Sequence, residues 1–351
     1  MEPANSRVNQ AEIARALGLS QSTVSIALKG DTRVAKKTRE AIKKKAEELG
    51  YVPDPNLFAL SLYRTQSKAD KIVAGMAWVT NFPTKDGWKD MRMIRDYRKG
   101  AEEQARKMGY QLYDFWLGDP EVSSQRFRQI LLARGIRGLI FAPQAEFHTT
   151  IDLDFSDFAA VTLGYTLWKP ELHLVSNHQH RTIRLAYRSL QNLGYQKIGM
   201  VMNSWVDRRV AGSFTGGFLS LNPTLKGKGF VAPHLYEDFD SAAFEKWFNK
   251  WKPDALISSG DCSKNVKEWA KNKGLVLGKD FAFAELNLMD LDGSIAGVSQ
   301  RGELIGKSAA SVVDSLLNHF EYGIPAAPLR TLVEGVWVDG ATAPRKGVKS
   351  T

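Results

Sequence analysis

Near the start of the chain, three stretches carry apolar residues every three or four positions, the spacing of an amphipathic helix. The first opens at Asn9, an N-cap residue, with Glu12 three positions on to close a capping box. It turns Ile13, Ala14 and Leu17 inward and stops at Gly18. The second opens at Ser20, carries Val24, Ala27 and Leu28 at helical spacing, and ends at Gly30. The third covers 36–49, with Ile42, Ala46 and Leu49 inward and Gly50 as its stop. Residues 51–70 change character. Pro53 and Pro55 break regular structure, and 57–64 suit one short helix.

From Lys71 onward, strand-like runs alternate with helical ones. Strands are expected over 72–79, 111–117, 138–142, 159–163, 197–202, 255–258 and 281–285, and helices over 91–108, 123–133, 182–193, 242–251, 264–273 and 304–320. Such alternation implies parallel sheets with helices on both faces. The length of this part, about 270 residues, predicts two lobes. Ligands of such folds sit at the carboxyl ends of strands, here in the cleft between lobes. The expected fold is a small all-α helix-turn-helix domain over 1–51, a hinge over 52–70 and a two-lobed α/β sensor domain over 71–340. A tail over 341–351 lacks heptads and reads as disordered.

Charge sharpens the reading of the first domain. The 351 residues carry a formal net charge of +10. From Lys29 to Lys45, eight basic residues face two acidic ones, a local net of +6 that suits a nucleic-acid partner. The single cysteine, Cys262, allows no intrachain disulfide and fits a reducing cytoplasm. Neither a secretory signal nor eighteen consecutive apolar residues is visible, so no membrane association is expected. His178 and His180 have no Cys or carboxylate at ligand spacing, and no metal or other cofactor is expected. Signatures of a phosphate loop, a nucleophile elbow or a zinc protease are missing, so the chain does not read as an enzyme. Asp152 and Asp154 could suggest a carboxylate pair, but 151–157 reads better as a solvated loop.

The stretch 12–25 has helix-turn-helix grammar: an apolar helix, a glycine turn and Ser20 capping a second helix that crosses the first. Gln21, Ser22 and Ser25, early in that second helix, would reach base edges in the major groove. Thr23 would touch phosphate. Arg33, in the basic run, joins the DNA-binding set.

These residues resemble the lactose-repressor (LacI/GalR) family of bacterial regulators. The resemblance rests on Ile13-Ala14, Leu17-Gly18, Ser20, Thr23-Val24-Ser25, Leu28, Val34, Thr38-Arg39 and Leu49-Gly50-Tyr51 followed by Pro53. It extends more loosely to periplasmic-binding-protein-like sensor lobes. Residues 194–199 look like the family's glycine-aromatic-basic-Ile-Gly strand start, Asp261 like its cleft aspartate, and Gln300 to Gly306 like its late helix start. The resemblance implies a homodimer on a palindromic double-stranded operator and a hinge helix whose leucine wedges into the minor groove. Counting from Pro53 places that leucine at Leu60; counting from Pro55 places it at Leu62.

The departures change what is expected. Where the family commonly has arginine after Val-Ser, this chain has Ile26. Arginine reads guanine bidentately, whereas isoleucine offers only apolar contact, so a different operator is expected. Phe58 stands where the hinge usually carries arginine, and Phe214 stands in the slot of the arginine that clasps a polar ligand. Arg208 and Arg209 are the nearest basic residues. Effector candidates are Asn81, Phe82, Trp88, Tyr165, Trp205, Arg208, Arg209 and Asp261, a mixture suited to a sugar: charged groups hold hydroxyls and rings cover C–H faces. The reading is a transcriptional regulator, a repressor by expectation, with a small-molecule, carbohydrate-like effector. A DNA-tethered enzyme and a solute-binding protein are the weaker alternatives.

Overall fold

The computed structural model describes residues 8–28, 34–49, 51, 74–221 and 229–347. The chain divides into two compact units, 1–72 with 318–321, and 73–317 with 322–351. In the first unit, helices α1 (Gln10–Leu17), α2 (Gln21–Leu28) and α3 (Lys36–Glu48) enclose Ile13, Ala14, Val24, Ala27, Ile42 and Ala46. Asn9 caps α1 as expected: its side chain accepts from the N–H groups of Ala11 and Glu12, and Glu12 accepts from its backbone N–H at 2.9 Å. Gly18 ends α1 at φ 65°, where a side chain would be strained. Arg33, Leu60, Leu62, Phe58 and the expected hinge helix over 57–64 lie outside the described residues.

The second unit holds two six-stranded sheets. In lobe 1 the order is β13 (Arg330–Val333), β7 (His173–Asn177), β5 (Ala159–Leu163), β3 (Gly138–Phe141), β1 (Ala74–Thr80) and β2 (Tyr110–Trp116), all parallel. In lobe 2 it is β14 (Val336–Val338), β12 (Ala296–Ser299), β11 (Ala282–Glu285), β10 (Ala255–Ser258), β8 (Ile198–Asn203) and β9 (His234–Tyr236). Only β14 there is antiparallel to its neighbour. A two-stranded parallel ribbon, β4 (Thr149–Thr150) with β6 (Leu167–Lys169), flanks lobe 1. Each large sheet has a packed core on both faces, which is why inner strands such as Gly138–Phe141 and Ala255–Ser258 are buried throughout and largely apolar.

Helices α4 (Arg92–Lys107) and α5 (Ser124–Ala133) follow in lobe 1. In lobe 2 come α6 (Gln179–Asn192), α7 (Ser204–Arg208), α8 (Ser213–Leu219), α9 (Ser241–Trp251) and α10 (Asp261–Asn272). Helix α11 (Gly302–His319) returns to lobe 1, where Ile305, Ala309 and Val313 join the core. It crosses α4 closely: a Cβ on Gly100 would overlap the Glu303 backbone, and one on Gly306 the Tyr97 backbone. The chain thus passes between lobes after β7, after β12 and between β13 and β14. Asn177 ties two of these passages together. It is fully buried, donates to the Val333 carbonyl at 3.1 Å and accepts from the Thr182 hydroxyl at 2.7 Å.

Two expectations need correction. The tail is not disordered over 341–347. Thr342 and Ala343 are buried, the Thr342 hydroxyl donates to the Phe283 carbonyl at 2.7 Å, and Tyr195 donates to the Pro344 carbonyl at 2.7 Å. Composition hid this, because the segment is anchored by backbone groups, two small buried side chains and an ion pair of Lys346 with the distant Asp254 at 2.6 Å. The loop over 151–157 is not simply solvated either: Ile151, Leu153 and Phe155 are buried beneath it, while Asp152 is exposed and Asp154 caps the Ser156 N–H.

Candidate DNA-binding face and effector cleft

On α2 the polar residues and the core residues separate cleanly. Val24 and Ala27 point into the core, whereas Gln21 and Ser22 are exposed and Ser25 and Ile26 half-buried. Ser20 caps the helix, accepting from the Thr23 N–H at 3.1 Å. Its hydroxyl also lies 2.7 Å from that of Thr23 and 2.8 Å from that of Ser22, so a short hydroxyl ladder marks the start of the helix. On α3, Lys36, Lys37, Lys43 and Lys44 are exposed. Positions seven apart fall on one face of a helix, so these four share one side of α3, with the exposed Glu40 and Glu47 between them. Arg39 instead turns back and donates to the Val34 carbonyl at 2.9 Å.

The sensor candidates separate into four groups. Phe82 and Trp88 are buried in lobe 1, Trp88 packing on Trp78 at 6.1 Å and the Phe82 carbonyl accepting from Trp116 at 2.8 Å. Asp261 starts α10 with its side chain 87% exposed and paired with Lys264 at 2.6 Å. Asn81 follows β1 and Tyr165 follows β5; both are half-buried at strand carboxyl ends. Trp205, Arg208 and Arg209 come together on α7 and the turn after it, with the Arg209 guanidinium 4.6 Å from the Trp205 ring centroid. Phe214, in the slot where arginine was expected, is core.

Arg209 spans the lobes. It donates to the carbonyls of Ala145 at 2.6 Å and Gln144 at 2.8 Å, just beyond β3. Burial presses its pKa down, but from a value so high that the guanidinium stays charged. Across the same boundary, Arg92 donates to Asp290 at 2.6 Å and to the Met289 carbonyl at 3.0 Å. Arg208 is instead held within lobe 2 by a two-pronged pair with Glu237, both contacts 2.9 Å, which draws the Glu237 carboxyl below its ordinary range.

Sequence reasoning missed the partners of these arginines. Three are backbone carbonyls, which leave no trace in residue type. It also missed Glu285, a buried carboxylate that ends β11 and accepts from the N–H groups of Gly260 at 3.0 Å and Asn287 at 3.3 Å. Burial pushes its pKa up against those hydrogen bonds. A lone glutamate closing an apolar strand was the available signal.

Residues 11–54 match the family model described as bacterial regulatory proteins, lacI family. A curated relative, the HTH-type transcriptional repressor PurR of Haemophilus influenzae (strain PittEE), is 23% identical over 233 residues. That match covers 63% of this chain and 64% of the relative, so the chain spans just under two thirds of the relative it matches. Among solved structures, a transcriptional regulator CelR–cellobiose complex superposes with a TM-score of 0.53 at 16% identity, over 96% of this chain and all of the other. The lac repressor dimer bound to operator and the anti-inducer ONPF gives 0.53 at 17% identity, over 97% and 100%. Likeness at these identities speaks for the fold. The module at 11–54 is thus that of the lacI family of bacterial regulatory proteins, and it is followed by a two-lobed domain with the fold seen in those regulators.

Proposed function

We propose that this protein is a sequence-specific DNA-binding transcriptional regulator, a repressor, whose operator affinity is set by a small carbohydrate-like effector held between the lobes. The observation that carries the reading is the start of α2: a capped helix on a packed three-helix core, with Gln21 and Ser22 turned to solvent. Gln21, Ser22 and Ser25 read base edges in the major groove, and Thr23 contacts phosphate. Ile26 makes apolar contact, and Arg33 and the wedge Leu60 complete the DNA-binding set. Two-fold operators favour two-fold proteins, so the active species is a homodimer on a palindromic site. The relative whose structure is described as operator-bound is itself a dimer, and another is described with cellobiose.

In the sensor, Asn81, Tyr165, Trp205, Arg208 and Arg209 form the effector wall, with Asp261 at its rim and Phe82 and Trp88 supporting it from the core. The effector acts by favouring one lobe arrangement over another, a coupling worth about 1–3 kcal/mol. We propose no catalytic step, and a cytoplasmic location. Selection of genomic fragments by the purified protein tests this reading. The expected product is one enriched palindromic site; fragments recovered without sequence preference would overturn it.

A further inference from the structure

Three aromatic side chains stand in a row on lobe 1, starting where it meets lobe 2. Phe147 and His148 have ring centroids 5.0 Å apart, and His148 and Trp168 4.8 Å. At the inner end, the Arg208 guanidinium of lobe 2 lies 5.6 Å from the Phe147 ring centroid. At the outer end, Trp168 on β6 is 54% exposed. None of the three belongs to the packed cores of lobe 1. His148 also holds φ 59°, a left-handed backbone that costs a non-glycine residue energy unless its surroundings impose it, and its side chain is exposed. The exposed His148 on strained backbone and the exposed Trp168 beside it thus extend an aromatic surface outward from the cleft.

We infer that this row is a second saccharide subsite, continuous with the interlobe cleft, so that the effector is an extended oligosaccharide whose outer rings lie against His148 and Trp168. The inference rests on the cleft being the effector site. Pyranose rings carry C–H groups on their faces and hydroxyls around their edges. The electron-rich face of an indole attracts the polarised C–H groups. At its inner end, the paired Arg208 and Glu237 offer a donor and an acceptor side by side to sugar hydroxyls.

Calorimetric titration of the full-length protein with cello-, xylo- and malto-oligosaccharides of one to four rings tests the inference. In one series, affinity should rise roughly tenfold from two rings to four, about 1.4 kcal/mol. Trp168→Ala should abolish that rise while leaving binding of the shorter sugar intact. A flat series in all three, or a rise that survives Trp168→Ala, would overturn the subsite. So would a loss of oligomeric mass in Trp168→Ala, which would assign the row to contact between copies. Sequence-specific DNA binding by the same preparations separates the two levels. If it persists beside a flat series, only the subsite fails; if it is lacking, the underlying reading fails as well.

Discussion

Single residues divide here into those that hold the helix-turn-helix together and those it leaves for a partner. Ile42 is fully buried in a small core, with six buried residues among those described, so Ile42→Ala leaves a hole that such a core fills poorly. It should cost about 2–5 kcal/mol and appear as earlier melting of the N-terminal unit, with the sensor transition unchanged in a calorimetric scan of the full chain. Gln21 is exposed and contributes nothing to that core, so Gln21→Ala should leave melting alone. In fluorescence titrations it should weaken operator binding by about 1–3 kcal/mol and random-duplex binding hardly at all. The capping residues behind both were legible in the sequence, since Asn9, Glu12 and Ser20 act through local spacing. Glu285 was not, because its role depends on chain more than twenty residues away. Its raised pKa means that the folded protein keeps a proton the unfolded chain would release. Its contribution is therefore complete below the ordinary carboxylate range and is lost as pH rises through the raised value. Melting temperature measured against pH should fall more steeply in the wild type than in Glu285→Gln across that window.

At the scale of elements, the sequence was readable where burial is periodic or where apolar residues run on, but the buried strands β7 and β12, broken by serine, asparagine and glycine, escaped it. The strands around Ala74–Thr80, Gly138–Phe141, Ala159–Leu163 and Ala255–Ser258 lie where apolar runs predicted them, because both faces are covered. The short pieces were not readable. β4, β6, β9, β13 and β14 are two to four residues long, and their pairing is decided by distant chain. Helices α7 and α8 escaped for the same reason: at five and seven residues they show less than two full apolar repeats. The contact between lobes was hidden most completely, since Arg209 meets carbonyls rather than side chains. These two bonds from a half-buried guanidinium should outweigh the exposed Arg92–Asp290 pair, which is worth little in water. Small-angle scattering of ligand-free protein should thus show a larger radius of gyration for Arg209→Met and an unchanged one for Arg92→Met. Equal radii for wild type and Arg209→Met would show that the arginine does not hold the lobes.

The whole molecule joins a basic helical unit to a sensor whose lobes are linked by three chain passages and by side chains that reach across. Its net charge of +10 gives any DNA complex a strong electrostatic part, and the exposed lysines of α3 place positive charge on one face of that unit. Charge alone binds any duplex; the proposed readers on α2 must add preference for one sequence. Equilibrium binding of the full-length protein to its selected site and to random duplex, repeated across a salt series, weighs these contributions directly. Both should fall linearly in log affinity with log salt, with similar steep slopes, since the phosphate contacts are shared. At moderate salt the selected site should remain tighter by about a thousandfold or more. Parallel lines that coincide at every salt concentration would contradict the account.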